Sequence, residues 1–336
     1  VFGLFRIFRD ELEATSSENA RMIGKHECVQ QTPNAAAQMI ERLNFDRDGA
    51  DWPNRSASSF VQAGGFRWHV QRCGAGPVAL LLHGTGASTH SWAGLMPLLA
   101  ERFTVVAPDL PGHAFTSMPD GSRMSLPGMA RSVAELIGEL SLSPVLVIGH
   151  SAGAAVGIRM CLDRRIAPSA VVGINAALLP FRGFAGQVFS PLAKLLVLNP
   201  LVPRIFAWSA SDERAVARLL RSTGTEPDSK FLDLYTRLFR NSGHVAGALA
   251  MMARWDLDSI ERELARLEMP LLLVAGSADA AVPADDSFRA AKAARTSRVT
   301  VIRGAGHLLH EERPDETARI VASFFDEAAN RASDQH

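Results

Sequence analysis

Val145-Leu146-Val147-Ile148-Gly149-His150-Ser151-Ala152-Gly153 decides the fold. Four apolar residues in a row suit a short strand buried on both faces. Gly-x-Ser-x-Gly comes at once after them, and an apolar helical stretch continues to residue 162. Strand, sharp turn and helix are the setting in which this motif forms a nucleophile elbow. The serine must sit on a tight, strained turn that pushes Oγ off the strand end. Small residues at 149 and 153 let strand and helix close around that turn. The helix N-terminus adds positive partial charge beside the hydroxyl.

Working outward, similar apolar runs recur at 78–82, 103–107, 170–174, 271–274 and 299–302. Helical patterns lie between them at 92–99, 129–140, 152–162, 285–294 and 314–328. Strands alternating with helices predict an α/β protein with a mostly parallel, doubly wound sheet. Alternating polarity at 59–63 and 66–71 around Gly64-Gly65 predicts a hairpin at its antiparallel edge. Residues 178–256 break this rhythm. They hold no strand-like run and read as a helical cap inserted into the core. The expected layout is an N-terminal extension (1–50) that the compact fold need not include and a first core part (51–177). The cap (178–256), a second core part (257–328) and a tail (329–336) complete it.

A serine hydroxyl needs a base, and an imidazole needs a carboxylate to orient it. The run at 271–274 ends in Ala275-Gly276-Ser277-Ala278-Asp279, and the run at 299–302 ends in Arg303-Gly304-Ala305-Gly306-His307. Ser151, Asp279 and His307 therefore each stand just past a strand end, where open α/β sheets gather their sites. His307 is the expected base and Asp279 its orienting acid. His83-Gly84-Thr85-Gly86 comes after the run at 78–82. The backbone N–H groups of Thr85 and Ala152 are the expected oxyanion donors.

His150 fills the variable position of the elbow and reads as structural. His113, in the turn Pro111-Gly112-His113, is expected to bond locally. His307, His310 and Glu311 do not match H-E-x-x-H or H-x-x-E-H, so no metal is expected. No phosphate-cradling glycine motif stands after a strand, so no nucleotide cofactor is expected either.

The formal net charge is zero and no basic stripe carries interleaved aromatics, which argues against nucleic acid as a partner. Three cysteines, Cys28, Cys73 and Cys161, lie too far apart for a zinc motif and fit a reducing compartment. The first ten residues lack the pattern of a secretory signal, and no apolar run reaches spanning length. A cytoplasmic location, or one peripheral to a membrane, is expected. The chain starts with Val1 rather than Met, which fits a fragment or a non-standard start. Apolar residues at 47% leave enough material for a sizeable core.

HGTG, PDLPGH, GHSAG, GSADAAVP and GAGH together resemble the α/β-hydrolase superfamily, from about residue 58 to the C-terminus. Within it they are similar to the branch of esterases, epoxide hydrolases, dehalogenases and carbon–carbon bond hydrolases. Branch members that attack saturated carbon use an aspartate nucleophile; Ser151 here implies attack on an acyl carbon. Ala114 stands where the superfamily often has glycine after PGH. Asn44 to Arg55 (NFDRDGADWPNR), 63–71 and 83–92 resemble the magnesium-chelatase accessory family of bacteriochlorophyll gene clusters. That resemblance implies a role near magnesium insertion into protoporphyrin IX, with a porphyrin as candidate substrate and magnesium chelatase subunits as candidate partners. A non-catalytic porphyrin-binding or accessory role and a general carboxylesterase remain alternatives. Ten basic residues from Arg182 to Arg254 outnumber five acids in the cap. They suggest either a basic-edged pocket for a carboxylated macrocycle or plain solvated helix surfaces.

Overall fold

The computed structural model describes residues 41–180, 199 and 201–333. Eight strands form one sheet: β1 (Ser58–Ala63), β2 (Phe66–Cys73), β3 (Val78–Leu82), β4 (Thr104–Pro108), β5 (Pro144–His150), β6 (Ala170–Ile174), β7 (Leu271–Gly276) and β8 (Ser297–Ile302). Their order is β1-β2-β4-β3-β5-β6-β7-β8. β1 and β2 form the hairpin, with Ala63 opposite Phe66, and β2 joins β4 antiparallel. Every later pair is parallel. Parallel neighbours need crossovers, and the helices that supply them cover both faces.

One apolar cluster joins Trp68, Leu80, Leu82 and Val147 to α3 (Leu126–Glu139) and α4 (Ala152–Leu162). The other joins Leu81, Trp92, Ile148 and Val274 to α2 (Leu95–Ala100) and α12 (Pro314–Ser333). Alternate residues of β3 and β5 thus feed opposite faces, as the period of two requires. All eleven residues of α4 are buried, so this helix has no solvent stripe and runs through the interior. α10 (Ala284–Ala293) packs beside β7 and β8.

Helices α5 (Val202–Ser209), α6 (Glu213–Arg221), α7 (Ser229–Phe239) and α8 (Ser242–Ala253) lie between β6 and β7, with α9 (Asp258–Glu263) after them. α5 to α8 share an apolar cluster that includes Phe206, Leu219, Leu220, Tyr235 and Phe239, while Ile260 of α9 joins the first sheet-face cluster. Arg182, Lys194 and the first part of the expected cap, from 181 onward, lie outside the described residues up to 198.

Two local outcomes differ from expectation. Residues 41–50, expected to belong to an extension that the compact fold need not include, pack on it. α1 (Phe45–Asp48) is capped by the Asn44 side chain, and the Phe45 ring packs against Phe60, His69 and Phe115 at 5.0–5.3 Å between centroids. Burial of that ring, together with Trp52, holds the segment on the core. Residues 1–40 of the expected extension lie outside the described residues. A one-turn helix, α11 (Leu309–Glu312), also forms before Pro314. It is too short for any periodic signal.

Among the described residues no helix is long and apolar enough to cross a membrane. Of the cysteines there, Cys73 and Cys161 are free thiols. Cys28 lies outside the described residues.

Candidate active site

Ser151 takes φ 50°, ψ −116°, a conformation that side chains rarely adopt. The turn survives because its neighbours have no Cβ. One on Gly149 would stand 2.3 Å from the Ala154 nitrogen, and one on Gly153 would stand 2.0 Å from the Leu82 carbonyl oxygen. Strand β5, helix α4 and strand β3 thus meet in van der Waals contact around Ser151. The Ser151 N–H donates to the Ile174 carbonyl at 2.9 Å, which fixes the turn to the end of β6.

Asp279 stands after β7 on a tight loop, its carboxylate fully buried. Oδ1 accepts from the Ala281 and Val282 N–H groups, both at 2.8 Å. Oδ2 lies 2.8 Å from His307 Nδ1. With Oδ1 committed to the backbone, Oδ2 is left for the ring, and Nε2 remains the nitrogen able to take a proton. Ser151 and His307 line the same cavity. Among the described residues no hydrogen bond joins their side chains; His307 engages Asp279 through Nδ1.

The cavity measures about 110 Å³. Gly84, Thr85 and Ala152 line it beside Ser151, and Leu219, Leu220, Phe239, Met252, Trp255 and Val282 supply apolar walls. A Cβ on Gly84 would stand 3.2 Å from that of Ser151, so the glycine brings the loop after β3 against the Ser151 side chain. Thr85 and Ala152, the expected oxyanion donors, both border the cavity. No described arginine or lysine lines it. Cap arginines turn elsewhere: Arg221 pairs with Glu226 at 2.7 Å, and Arg237 donates to the Asp48 carbonyl at 2.7 Å.

Several residues that the sequence reading passed over hold this arrangement. The Leu110 N–H donates to His83 Nε2 at 2.8 Å, so Nδ1 carries the proton and donates to the Gly84 carbonyl at 2.8 Å. His244, on α8, accepts at Nδ1 from the Ala114 N–H (3.0 Å) and donates from Nε2 to the Gly86 carbonyl (3.1 Å). The loop after β3 is thus gripped by the His83 ring at its start and by the His244 ring of α8. Burial lowers both pKa values, that of His244 to about 4, which keeps the rings neutral as this pattern demands. Ala114 stands at φ 39°, in the region that favours glycine.

Asn175, at the end of β6, donates from Nδ2 to the Gly306 and His307 carbonyls, both at 2.9 Å, and accepts at Oδ1 from the Gly276 N–H at 2.7 Å. One amide therefore joins the ends of β6 and β7 to the histidine loop. His150, expected to be structural, donates from Nε2 to the His307 carbonyl at 3.0 Å. His113 reaches the Pro111 carbonyl at 3.1 Å, a local bond. His310 and Glu311 are engaged by partners other than His307. His310 Nε2 bonds Ser91 Oγ at 2.8 Å, and the Glu311 carboxyl receives the hydroxyls of Ser91 and Tyr235. Burial pushes the Glu311 pKa up to about 8, so it carries a proton near neutrality.

Residues 79–320 match the alpha/beta hydrolase family. The chain is 39% identical over 280 residues to the magnesium-chelatase 30 kDa subunit of Rhodobacter capsulatus, covering 82% of this chain and 97% of that one. It is 25% identical over 291 residues to 2-hydroxy-6-oxo-2,4-heptadienoate hydrolase of Pseudomonas putida, covering 81% of this chain and 97% of that one. Among solved structures, the epoxide hydrolase CorEH superposes with a TM-score of 0.69 at 22% identity. That match covers 80% of this chain and 98% of that one.

Proposed function

The chain belongs to the alpha/beta hydrolase family, and from that premise we propose that it is a serine hydrolase of an ester-like bond, working through an acyl-enzyme. The observation that carries this reading is Ser151 on its strained elbow, facing one cavity with a histidine whose far nitrogen is held by a buried carboxylate. Ser151 Oγ attacks the acyl carbon as its proton passes to His307 Nε2. Asp279 stabilises the imidazolium that forms. The carbonyl oxygen gains negative charge and is received by the Thr85 and Ala152 N–H groups. His307 then protonates the leaving alkoxide, leaving an ester on Ser151. A water gives its proton to His307, attacks that ester and releases the acid, and the proton returns to Ser151.

The cavity favours a small, uncharged acyl group. At about 110 Å³ it is smaller than the roughly 150 Å³ apolar cavity that takes benzene. A tetrapyrrole would reach Ser151 through a side-chain ester, with its ring outside. Likeness to the Rhodobacter capsulatus subunit favours a place beside magnesium chelatase, with that enzyme's subunits as partners. It also supports a second reading, an accessory protein that binds the chelatase without catalysis.

Hydrolysis of p-nitrophenyl acetate tests the first reading. Ser151→Ala should lower kcat by at least about 10³-fold while the fold persists. An unchanged rate would overturn it. Pigment synthesis restored in a deletion strain by the same variant would favour the accessory role.

A further inference from the structure

The cap segment that lines the cavity also touches both loops behind it. Leu219 and Leu220, near the end of α6, and Thr223 just beyond it border the cavity. The chain then turns at Gly224, with φ +86°. A Cβ there would stand 1.9 Å from the Ala278 carbonyl oxygen on the acid loop. One on Gly306, in the histidine loop, would stand 2.3 Å from the Gly224 oxygen. The Thr223 carbonyl also receives the Ala280 N–H at 3.1 Å. The turn is thus wedged between the loop of Asp279 and the loop of His307, and the contact is close enough to require glycine on both sides.

Thr225 comes next, 3% exposed. Its hydroxyl accepts from the Leu308 N–H at 2.9 Å and donates to Glu312 Oε1 at 2.8 Å. The same carboxylate receives the Gly306 N–H at 3.1 Å. The amides immediately before and after His307 are therefore held by Glu312 of α11 and by Thr225, which reaches both the Leu308 N–H and that glutamate from the cap side. The Gly306 and His307 carbonyls are held from the core side by Asn175 and His150. We propose that Thr225 is a positioning residue: the cap, through this one hydroxyl, sets where His307 stands relative to Ser151.

This inference rests on the reading of Ser151 and His307 as nucleophile and base. Valine keeps the shape of threonine but neither donates nor accepts, leaving the buried Leu308 N–H without its partner. Serine keeps the hydroxyl and drops only the methyl. For p-nitrophenyl acetate, Thr225→Val should lower kcat about 10–100-fold, the scale of a base displaced by a fraction of an ångström, with KM little changed. The rate at which a fluorophosphonate labels Ser151 should fall in parallel. Thr225→Ser should restore both rates to within about threefold of the parent. Should the valine chain fail to fold, Thr225→Ala carries the same expectation.

A parent-like kcat in Thr225→Val overturns the inference alone, because the parent's own activity shows the serine reading standing. Equal losses in the valine and serine chains, with a lowered Tm, also overturn it, since packing rather than the hydroxyl would then be responsible. A folded parent that neither hydrolyses ester nor takes the label overturns the serine reading, and the inference with it.

Discussion

Replacing Asp279 with asparagine changes one atom, and the surrounding bonds dictate which way the new amide must face. The side-chain atom at Oδ1 receives two backbone N–H groups at 2.8 Å each. An amide NH₂ placed there would face two donors and leave both buried N–H groups unpaired, at a cost of about 1–3 kcal/mol apiece. The amide oxygen therefore stays at that position, and the NH₂ takes the place of Oδ2, 2.8 Å from His307 Nδ1. That nitrogen must now accept, so the ring proton moves to Nε2, the nitrogen that should receive the serine proton. The geometry survives and the base is lost. Where the same tautomer is imposed in a serine protease, kcat falls about 10⁴-fold, or about 5 kcal/mol of barrier. The assay is kcat for p-nitrophenyl acetate in parent and Asp279→Asn, with Tm and near-UV circular dichroism to show an intact fold. A folded variant within about tenfold of the parent would refute the reasoning, because the tautomer would then be irrelevant to turnover.

Stability should fall off on both sides of a narrow pH range. Burial lowers the pKa values of His90 and His310 to about 3 and that of His244 to about 4. The unfolded chain binds protons on these rings below about pH 6.5 while the folded chain does not, so stability is lost as pH falls, by about 1.4 kcal/mol per unit per ring. Glu311 acts in the opposite sense. With its pKa at about 8 when folded and 4.5 as the ordinary value, it releases a proton on unfolding between those limits, and stability falls as pH rises through them. Glu311→Gln should raise Tm relative to the parent at pH 8 and match it near pH 4.5; thermal melts at both values check this, and an equal difference at both would contradict it. The cavity makes a prediction of its own: acetyl and butyryl p-nitrophenyl esters should be cleaved faster than the decanoyl ester, and Leu219→Ala should narrow the gap. A preference for the decanoyl ester in the parent would contradict the small-pocket reading.

The fold was legible because its signals are local. The apolar runs become strands within two residues of their expected bounds; the central ones, β3 to β7, are buried on both faces and so continuously apolar. Ser151, Asp279 and His307 were legible for a related reason: each stands a few residues past a strand, in a turn with small neighbours. The supports around them were not. Asn175 meets Gly306 and His307 across more than 130 residues, and His244 meets Gly86 across 158. An asparagine after a strand or a histidine in a cap helix carries no local pattern, and its partner is fixed only when the sheet closes. Thr225 is hidden in the same way, on a turn that looks like any surface loop until Gly224 and Gly306 are seen in contact. Residues 41–50 read as separable from the compact fold because Leu43 and Phe45 are isolated among polar residues, yet their partners, Phe60 and Phe115, come from the hairpin edge and the loop after β4.

The most direct test of the central claim is intact-mass spectrometry of the protein after a short exposure to p-nitrophenyl acetate, with peptide mapping of the product. The account predicts a transient gain of one acetyl group, confined to the peptide that holds Ser151 and absent from Ser151→Ala. Release of p-nitrophenol with acetyl on another residue, or an undiminished adduct in Ser151→Ala, would contradict it.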